Sequence, residues 1–190
     1  ISLEDVFQEQ GNYDLHYNEL FRFVETYEDY KTRKDKIDFT DMISNFINKG
    51  ECPDIEALFV DEAQDLSTLQ WKMVDVLRQN PNIQIFTGDD DQAIMSFQGA
   101  DVNCFLNATK EKRVLTQSYR VPKAVWQVAQ QIVTRIDGRA IKKWEPKNEE
   151  GSVTYHYNLS DAPIHEGEWV ILARTNRILD RYAAQLKDEG

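Results

Sequence analysis

The chain has 190 residues, 41% hydrophobic and 29% charged, ordinary values for one or two globular domains long enough to bury a core. Thirty-three acidic against 22 basic residues give a formal charge of −11, which argues against a general nucleic-acid-binding surface. No apolar run is long enough to span a bilayer, there is no signal-peptide pattern, and Cys52 and Cys104 lack the spacing of a zinc site or a disulfide framework, so a reducing, cytoplasmic setting is expected.

Taken in order, residues 1–36 read as polar helix, with Ser2 capping a first short piece and Leu20, Val24 and Tyr27 at helical spacing. The aromatic run Tyr13, Tyr17, Phe21, Tyr27 and Tyr30 reads as helix core, in competition with a base-stacking platform. A second helix is expected after Ile37-Asp38-Phe39, with Thr40 as N-cap, Met42, Ile43, Phe46 and Ile47 as its apolar stripe, and Gly50 as its stop.

The next element carries the chemistry. Leu58-Phe59-Val60 is too short for a helix, contains two β-formers and ends in adjacent carboxylates, Asp61 and Glu62. That pattern predicts a buried parallel strand delivering acids at its C-terminal end, where ligands of open α/β sheets bind. Asp61 suits Mg²⁺, a hard cation that takes few carboxylates plus phosphate oxygens, and Glu62 is left to polarise a water. The competing reading is that Asp61 and Asp65 merely cap the following helix. That helix is predicted from Ser67 in a Ser-x-x-Gln capping pattern, with Leu69, Met73, Val76 and Leu77 inward and Asn80-Pro81 at its end.

Ile83 to Thr87 then reads as a second strand, which makes a βαβ unit and sets Gly88-Asp89-Asp90-Asp91-Gln92 beside the first acidic loop. Gly88 is expected to allow a tight turn. The Gln92 amide can donate to a phosphate oxygen and accept from a water, a chemistry suited to sensing a terminal phosphate. After Phe97 to Asp101 a short helix is expected, then a strand over 113–116 and a helix from Pro122 to about Ile136, with Val125, Ala129, Ile132 and Val133 inward and Gly138 as cap. Tyr119 and Arg120 precede that helix, where an aromatic plate and a fixed charge can take a base and a phosphate; a packed tyrosine and a surface arginine are the alternative. Strands are further expected at Val153 to Tyr157 and Trp169 to Ala173, and a last helix striped by Ile178, Leu179, Tyr182, Ala183 and Leu186. Although acids dominate up to Asp101, Lys110, Lys112, Arg113, Arg120, Lys123, Arg135, Arg139, Lys142, Lys143 and Lys147 make a basic stretch, compatible with a local phosphate-facing surface or with a solvated face.

Together these residues resemble the UvrD/Rep family of superfamily 1 DNA helicases. Leu58 to Asp65 is similar to helicase motif II, Gly88 to Ala100 to motif III, and Leu115 to Arg120 to motif IV; Ile37 to Ile43 and Val170 to Asn176 resemble flanking family segments. The resemblance implies an α/β fold made of partial P-loop NTPase (RecA-like) parallel sheets with flanking helices and a helical N-terminal part. It divides the chain into the end of a helical 1B-like region (1–36), the latter part of motor domain 1A (37–112) and the first part of motor domain 2A (113–190). It further implies ATP and Mg²⁺ as cofactors, single-stranded DNA or a junction as partner, and a bacterial or phage-infected cell as the setting.

By that resemblance Asp61 ligates Mg²⁺, Glu62 is the catalytic base, Gln64 belongs to the nucleotide site and Gln92 couples the γ-phosphate to DNA. Tyr119 stacks on adenine, Arg120 reaches the γ-phosphate, and Phe97, Met95, Arg174 and Asn176 face DNA. Met95 stands where an aromatic is usual in the family, and Gln98 where an arginine is usual. No G-x-x-x-x-G-K-[ST] occurs, because none of the eight glycines is followed by Lys-Ser or Lys-Thr, and motifs V and VI are missing. The expectation is therefore an internal segment of a DNA helicase, inactive alone, with strand 83–87 presenting an unpaired edge prone to self-association. Two other functions compete with it: a binding or interaction module without a P-loop, and a two-metal nuclease using Asp61, Glu62 and Asp89 to Asp91.

Overall fold

The computed structural model describes residues 16–164 and 167–188; the helix expected from Ser2, and Tyr13, lie outside them. The chain forms two units. One contains the residues up to Arg113 together with Asp137–Ile141, and the other contains Val114–Ile136 together with the residues from Lys142 onward.

In the first unit, helix α1 (Tyr17–Lys34) is followed by α2 (Phe39–Lys49). Leu20 and Val24 are half-buried as expected, but Phe21, Phe23, Tyr27 and Tyr30 are exposed, so the aromatic run is not helix core. The reason is angular: at 3.6 residues per turn Leu20, Val24 and Lys31 share one face of the helix, and Phe21 and Tyr30 lie about a quarter turn to either side of it. The aromatics instead form two pairs, Tyr17–Phe21 and Phe23–Tyr27, with ring centroids 6.3 and 6.5 Å apart. The buried side chain of α1 is Lys31, 6% exposed. Its ammonium lies 3.1 Å from Asp38 and 2.8 Å from Asp41, at the start of α2. Asp38, not Thr40, caps α2, in a reciprocal box with Asp41. Gly50 ends α2 in the left-handed region, as expected.

Strands β1 (Ala57–Val60) and β2 (Ile83–Phe86) pair in parallel, with Leu58 opposite Gln84 and Val60 opposite Phe86, and helix α3 (Thr68–Leu77) is the crossover between them. The expected βαβ unit forms, with Ser67 and Gln70 making the capping box. Its core is Leu58, Ala63, Trp71 and Val74, with Val60 and Phe86 packed against them. Val76 is buried as expected, but its buried companions in α3 are Trp71 and Val74, while Leu69, Met73 and Leu77 are half-buried; the indole lies on the sheet with its ring 5.8 Å from Phe86. Among the described residues β1 is covered on one face only: Phe59 is 67% exposed and shares its face with exposed Ile83 and Ile85. A single crossover helix covers a single face, whereas parallel sheets ordinarily carry helices on both. Helix α4 (Val102–Leu106) packs against the 3-10 turn Ala63–Asp65 that follows β1, and α2 packs on α3.

In the second unit, α5 (Lys123–Val133) starts one residue later than expected, with Pro122 as its N-cap, and ends before Ile136. Val125 and Ile132, expected inward, are exposed. Helix α6 (Asn176–Asp188) forms as expected. Residues 113–116, 153–157 and 169–173 form no strands. Leu115 is 90% exposed, and Tyr155, Tyr157, Val170 and Leu172 are exposed as well. A strand is completed by a neighbour's hydrogen bonds, and among the described residues of this unit the one β-bridge joins Gln117 to Glu145. The architecture is thus α/β with a two-stranded parallel sheet.

Candidate functional site

Parallel pairing brings the C-terminal ends of β1 and β2 out side by side, and the loops that follow are stitched together. Thr87 N–H donates to the Val60 carbonyl at 2.8 Å and Ala63 N–H to the Thr87 carbonyl at 2.9 Å. The Thr87 hydroxyl donates to Asp61 Oδ1 at 2.5 Å and Glu62 N–H donates to the same oxygen at 3.0 Å. Those two donors, the hydroxyl first, hold the Asp61 carboxyl below the usual range and keep it ionised. Both bonds fall on Oδ1, so Oδ2 has no protein donor among the described residues, and Asp61 is exposed. No three His, Cys, Asp or Glu side chains among the described residues converge to hold a cation by themselves. A single ionised carboxylate with one unengaged oxygen fits Mg²⁺, which keeps most of its shell for water and phosphate.

Glu62 lies in the left-handed region, φ 50° and ψ 40°, and is exposed. A non-glycine residue there costs on the order of 1–3 kcal/mol, a strain that clusters at functional sites. Its carboxylate accepts from Gln64 Nε2 at 2.9 Å. Gln64, expected at the nucleotide, is 1% exposed, and its amide is committed to protein: Nε2 also donates to Asp65 at 3.3 Å, and Oε1 accepts Asp89 N–H at 3.1 Å. It is a bracket between the two loops. Gly88 makes room for that bracket, since a Cβ there would collide with Gln64 Oε1 and lie 3.1 Å from the Phe105 ring and 3.2 Å from Ala63 N. Gly88 is absent from the positive-φ glycines, so close approach rather than a tight turn requires it.

Asp89 caps the 3-10 turn Asp90–Gln92, its Oδ1 accepting Asp91 N–H at 3.2 Å and its Oδ2 accepting the Gln92 amide at 2.7 Å. Arg139 completes the loop. Its Nε and Nη2 donate to the two oxygens of Asp91 at 2.6 Å each, and Ala140 N–H donates to Asp90 at 2.7 Å. In the sequence Arg139 is one of many basic residues, and only the need of three successive aspartates for donors hints at its place. Two other members of that basic stretch are likewise paired, Lys123 with Glu150 at 3.6 Å and Lys147 with Glu149 at 2.5 Å, which weakens the case for a phosphate-facing surface.

Asp61, Glu62, Gln64 and Gln92 therefore come together in the first unit. Phe97 is exposed and Met95 half-buried, at and just before the 3-10 turn Ser96–Gln98. Two backbone bonds, Thr68 N–H to Gly99 at 3.3 Å and Asp101 N–H to Leu66 at 3.1 Å, hold this stretch against the start of α3. An open groove of about 360 Å³ is lined by Met95 and Gln98 together with Asp65, Ser67, Gln70 and Phe39. In the second unit Tyr119 and Arg120 are exposed on a loop held by Ser118 Oγ, which accepts Val121 N–H at 3.0 Å. Arg174 and Asn176 are exposed at the start of α6.

Residues 2–113 match the family model of the UvrD/REP helicase N-terminal domain. The chain belongs to the UvrD/Rep helicase family. Among curated relatives in that family, it is 32% identical over 162 residues to the ATP-dependent DNA helicase srs2 of Schizosaccharomyces pombe, covering 77% of this chain and 18% of the relative. It is 30% identical over 139 residues to the ATP-dependent DNA helicase PcrA of Leuconostoc citreum, covering 65% of this chain and 19% of the relative. It is 26% identical over 184 residues to the ATP-dependent DNA helicase Rep of Buchnera aphidicola, covering 89% of this chain and 27% of the relative. The chain thus spans about a fifth to a quarter of the length of these UvrD/Rep relatives. No helix among the described residues is long and apolar enough to cross a membrane.

Proposed function

We propose that this chain is a segment of an ATP-dependent DNA helicase or translocase, in which hydrolysis of Mg-ATP is coupled to movement on single-stranded DNA. One observation carries the reading: Asp61, Glu62 and Gln92 sit together where β1 and β2 end, wired through the buried amide of Gln64, and Glu62 is held in a strained backbone conformation. Residues 37–112 are the latter part of a RecA-like motor domain 1A, 113–190 the first part of domain 2A, and 1–36 the end of a 1B-like region. Their names as ATP-dependent DNA helicases belong to the relatives; the site geometry supports carrying the activity over.

Asp61 holds the Mg²⁺, which when bound supplies neutralisation of phosphate charge. Glu62 accepts the proton of the attacking water, with its carboxylate oriented by Gln64. Gln92 reads the terminal phosphate and passes its presence along the turn to Met95 and Phe97, the DNA-facing side chains, where base stacking contributes about 1–3 kcal/mol per base. Tyr119 stacks on adenine, Arg120 neutralises the γ-phosphate, and Arg174 and Asn176 serve the DNA path. The uncovered edge and face of the sheet favour self-association of the isolated chain.

The test is Glu62→Gln in the full-length protein. Hydrolysis is expected to fall about 100-fold or more while nucleotide affinity holds, since general-base catalysis contributes roughly that much. Unchanged hydrolysis would remove Glu62 from the chemistry.

A further inference from the structure

The hydrogen bonds that hold Glu62 continue well beyond the two acidic loops. Glu62 Oε2 accepts from Gln64, Gln64 Oε1 accepts from Asp89 N–H, and the Asp89 carboxylate takes both the Gln92 amide and Asp91 N–H. Asp91 in turn receives the fork of Arg139. We propose that Arg139 is a positioning residue for the hydrolysis step, its two-pronged grip on Asp91 setting the turn that aims Gln92 and, through Asp89 and Gln64, the Glu62 carboxylate. This inference rests on the roles assigned above to Glu62 and Gln92.

Three features support it. Both partners are largely withdrawn from water, the Arg139 side chain being 17% exposed and that of Asp91 9%, where an ion pair is screened far less than at the surface. The grip is bidentate, so it fixes direction as well as distance, which a lysine ammonium cannot do. And the three successive aspartates have separate tasks: Asp91 takes Arg139, Asp90 takes Ala140 N–H, and Asp89 takes the Gln92 amide. Without Arg139 the Asp91 carboxylate would lose its two-pronged donor, and the turn that carries Gln92 would lose the contact that fixes its direction. The exposed Gln92 side chain would then lose its fixed aim.

The experiment compares Arg139→Gln, Arg139→Lys and Asp91→Asn with Glu62→Gln in the full-length protein. It measures single-turnover ATP hydrolysis, the Kd of a fluorescent ATP analogue, the melting temperature, and amide exchange over residues 61–66 and 87–95. For Arg139→Gln, hydrolysis is expected to fall about 10- to 100-fold, the range for losing an orienting partner, with Kd little changed. Exchange should rise in both segments. Arg139→Lys should restore the melting temperature but not the rate, and Arg139→Gln with Asp91→Asn together should cost no more than either alone. Unchanged hydrolysis in Arg139→Gln, full rescue of the rate by lysine, or additive losses would each overturn the proposal. If Glu62→Gln leaves hydrolysis intact, the reading of the site itself fails, whereas a normal Glu62→Gln defect beside an unaffected Arg139→Gln overturns the Arg139 inference alone.

Discussion

Gly88 and Gln64 are complementary: one has no side chain so that the other can fill the space between the two acidic loops. Gly88→Ala should push the Gln64 amide off its bonds to Glu62 and Asp89. Overpacking of this kind costs about 1–3 kcal/mol, so the urea midpoint of the isolated chain should drop without a change in m-value. An unchanged midpoint would mean that the loops part without cost. Gln64 itself was legible in the sequence as a member of the motif but not as its bracket, because burial and partner depend on β2, some twenty residues further on. Arg139 was less legible still, lying 48 residues from Asp91 with no local pattern to link them.

Among the elements, the join between α1 and α2 is electrostatic. Lys31 bonds to Asp41, Glu28 and Asp38; these bonds raise its pKa and, together with the capping box, lower those of Asp38 and Asp41. Carboxyls with lowered values stabilise the fold above the ordinary aspartate pKa of about 3.9, and that contribution is lost as pH falls through the lowered value. The raised lysine contributes below its ordinary value of about 10.4 and is lost only as pH rises through the raised one. The clamp should therefore hold across the neutral range and open in acid. Protection factors for amide exchange over residues 31–42, which take out the intrinsic pH dependence of exchange, should fall as pH drops below about 4, and Lys31→Met should weaken that pH dependence and lower the melting temperature. A pH-independent protection factor in the unsubstituted chain would count against the clamp.

The sheet makes a second prediction among the elements. Phe59, Ile83 and Ile85 form an exposed apolar face, and β2 pairs with β1 alone among the described residues. The isolated chain should associate at high concentration in light scattering, and Ile85→Lys, which puts a charge on that face, should restore the monomer. A monodisperse monomer at high concentration would dismiss the idea. The capping signals of α2 and α3 were readable because they act over three residues, although Asp38 and Thr40 compete for the same role and only the reciprocal bond with Asp41 decides it.

For the molecule as a whole, the question is whether these 190 residues can turn over nucleotide. The sequence contains no G-x-x-x-x-G-K-[ST], so a nucleotide would lack its main phosphate cradle. The isolated chain is expected to show no Mg²⁺-dependent ATP hydrolysis, with or without single-stranded DNA. DNA-stimulated turnover abolished by Glu62→Gln would mean that nucleotide is held by another route. A GxxxxGK[ST] encoded upstream of Ile1 would favour a segment of a complete motor over a binding module.

The sequence by itself determined the family, the βαβ unit, the order of the acidic loops and the ends of several helices. All of these rest on interactions within one turn, on alternation along one strand, or on a succession of motifs. Tertiary structure decided that 113–116, 153–157 and 169–173 form no strands, that Lys31 is buried among acids, that one sheet face is bare among the described residues, and that Arg139 grips Asp91. Each of these depends on a partner far along the chain. A local pattern states what a segment can become, and only the neighbour that supplies the hydrogen bond, the covering helix or the opposite charge settles what it is.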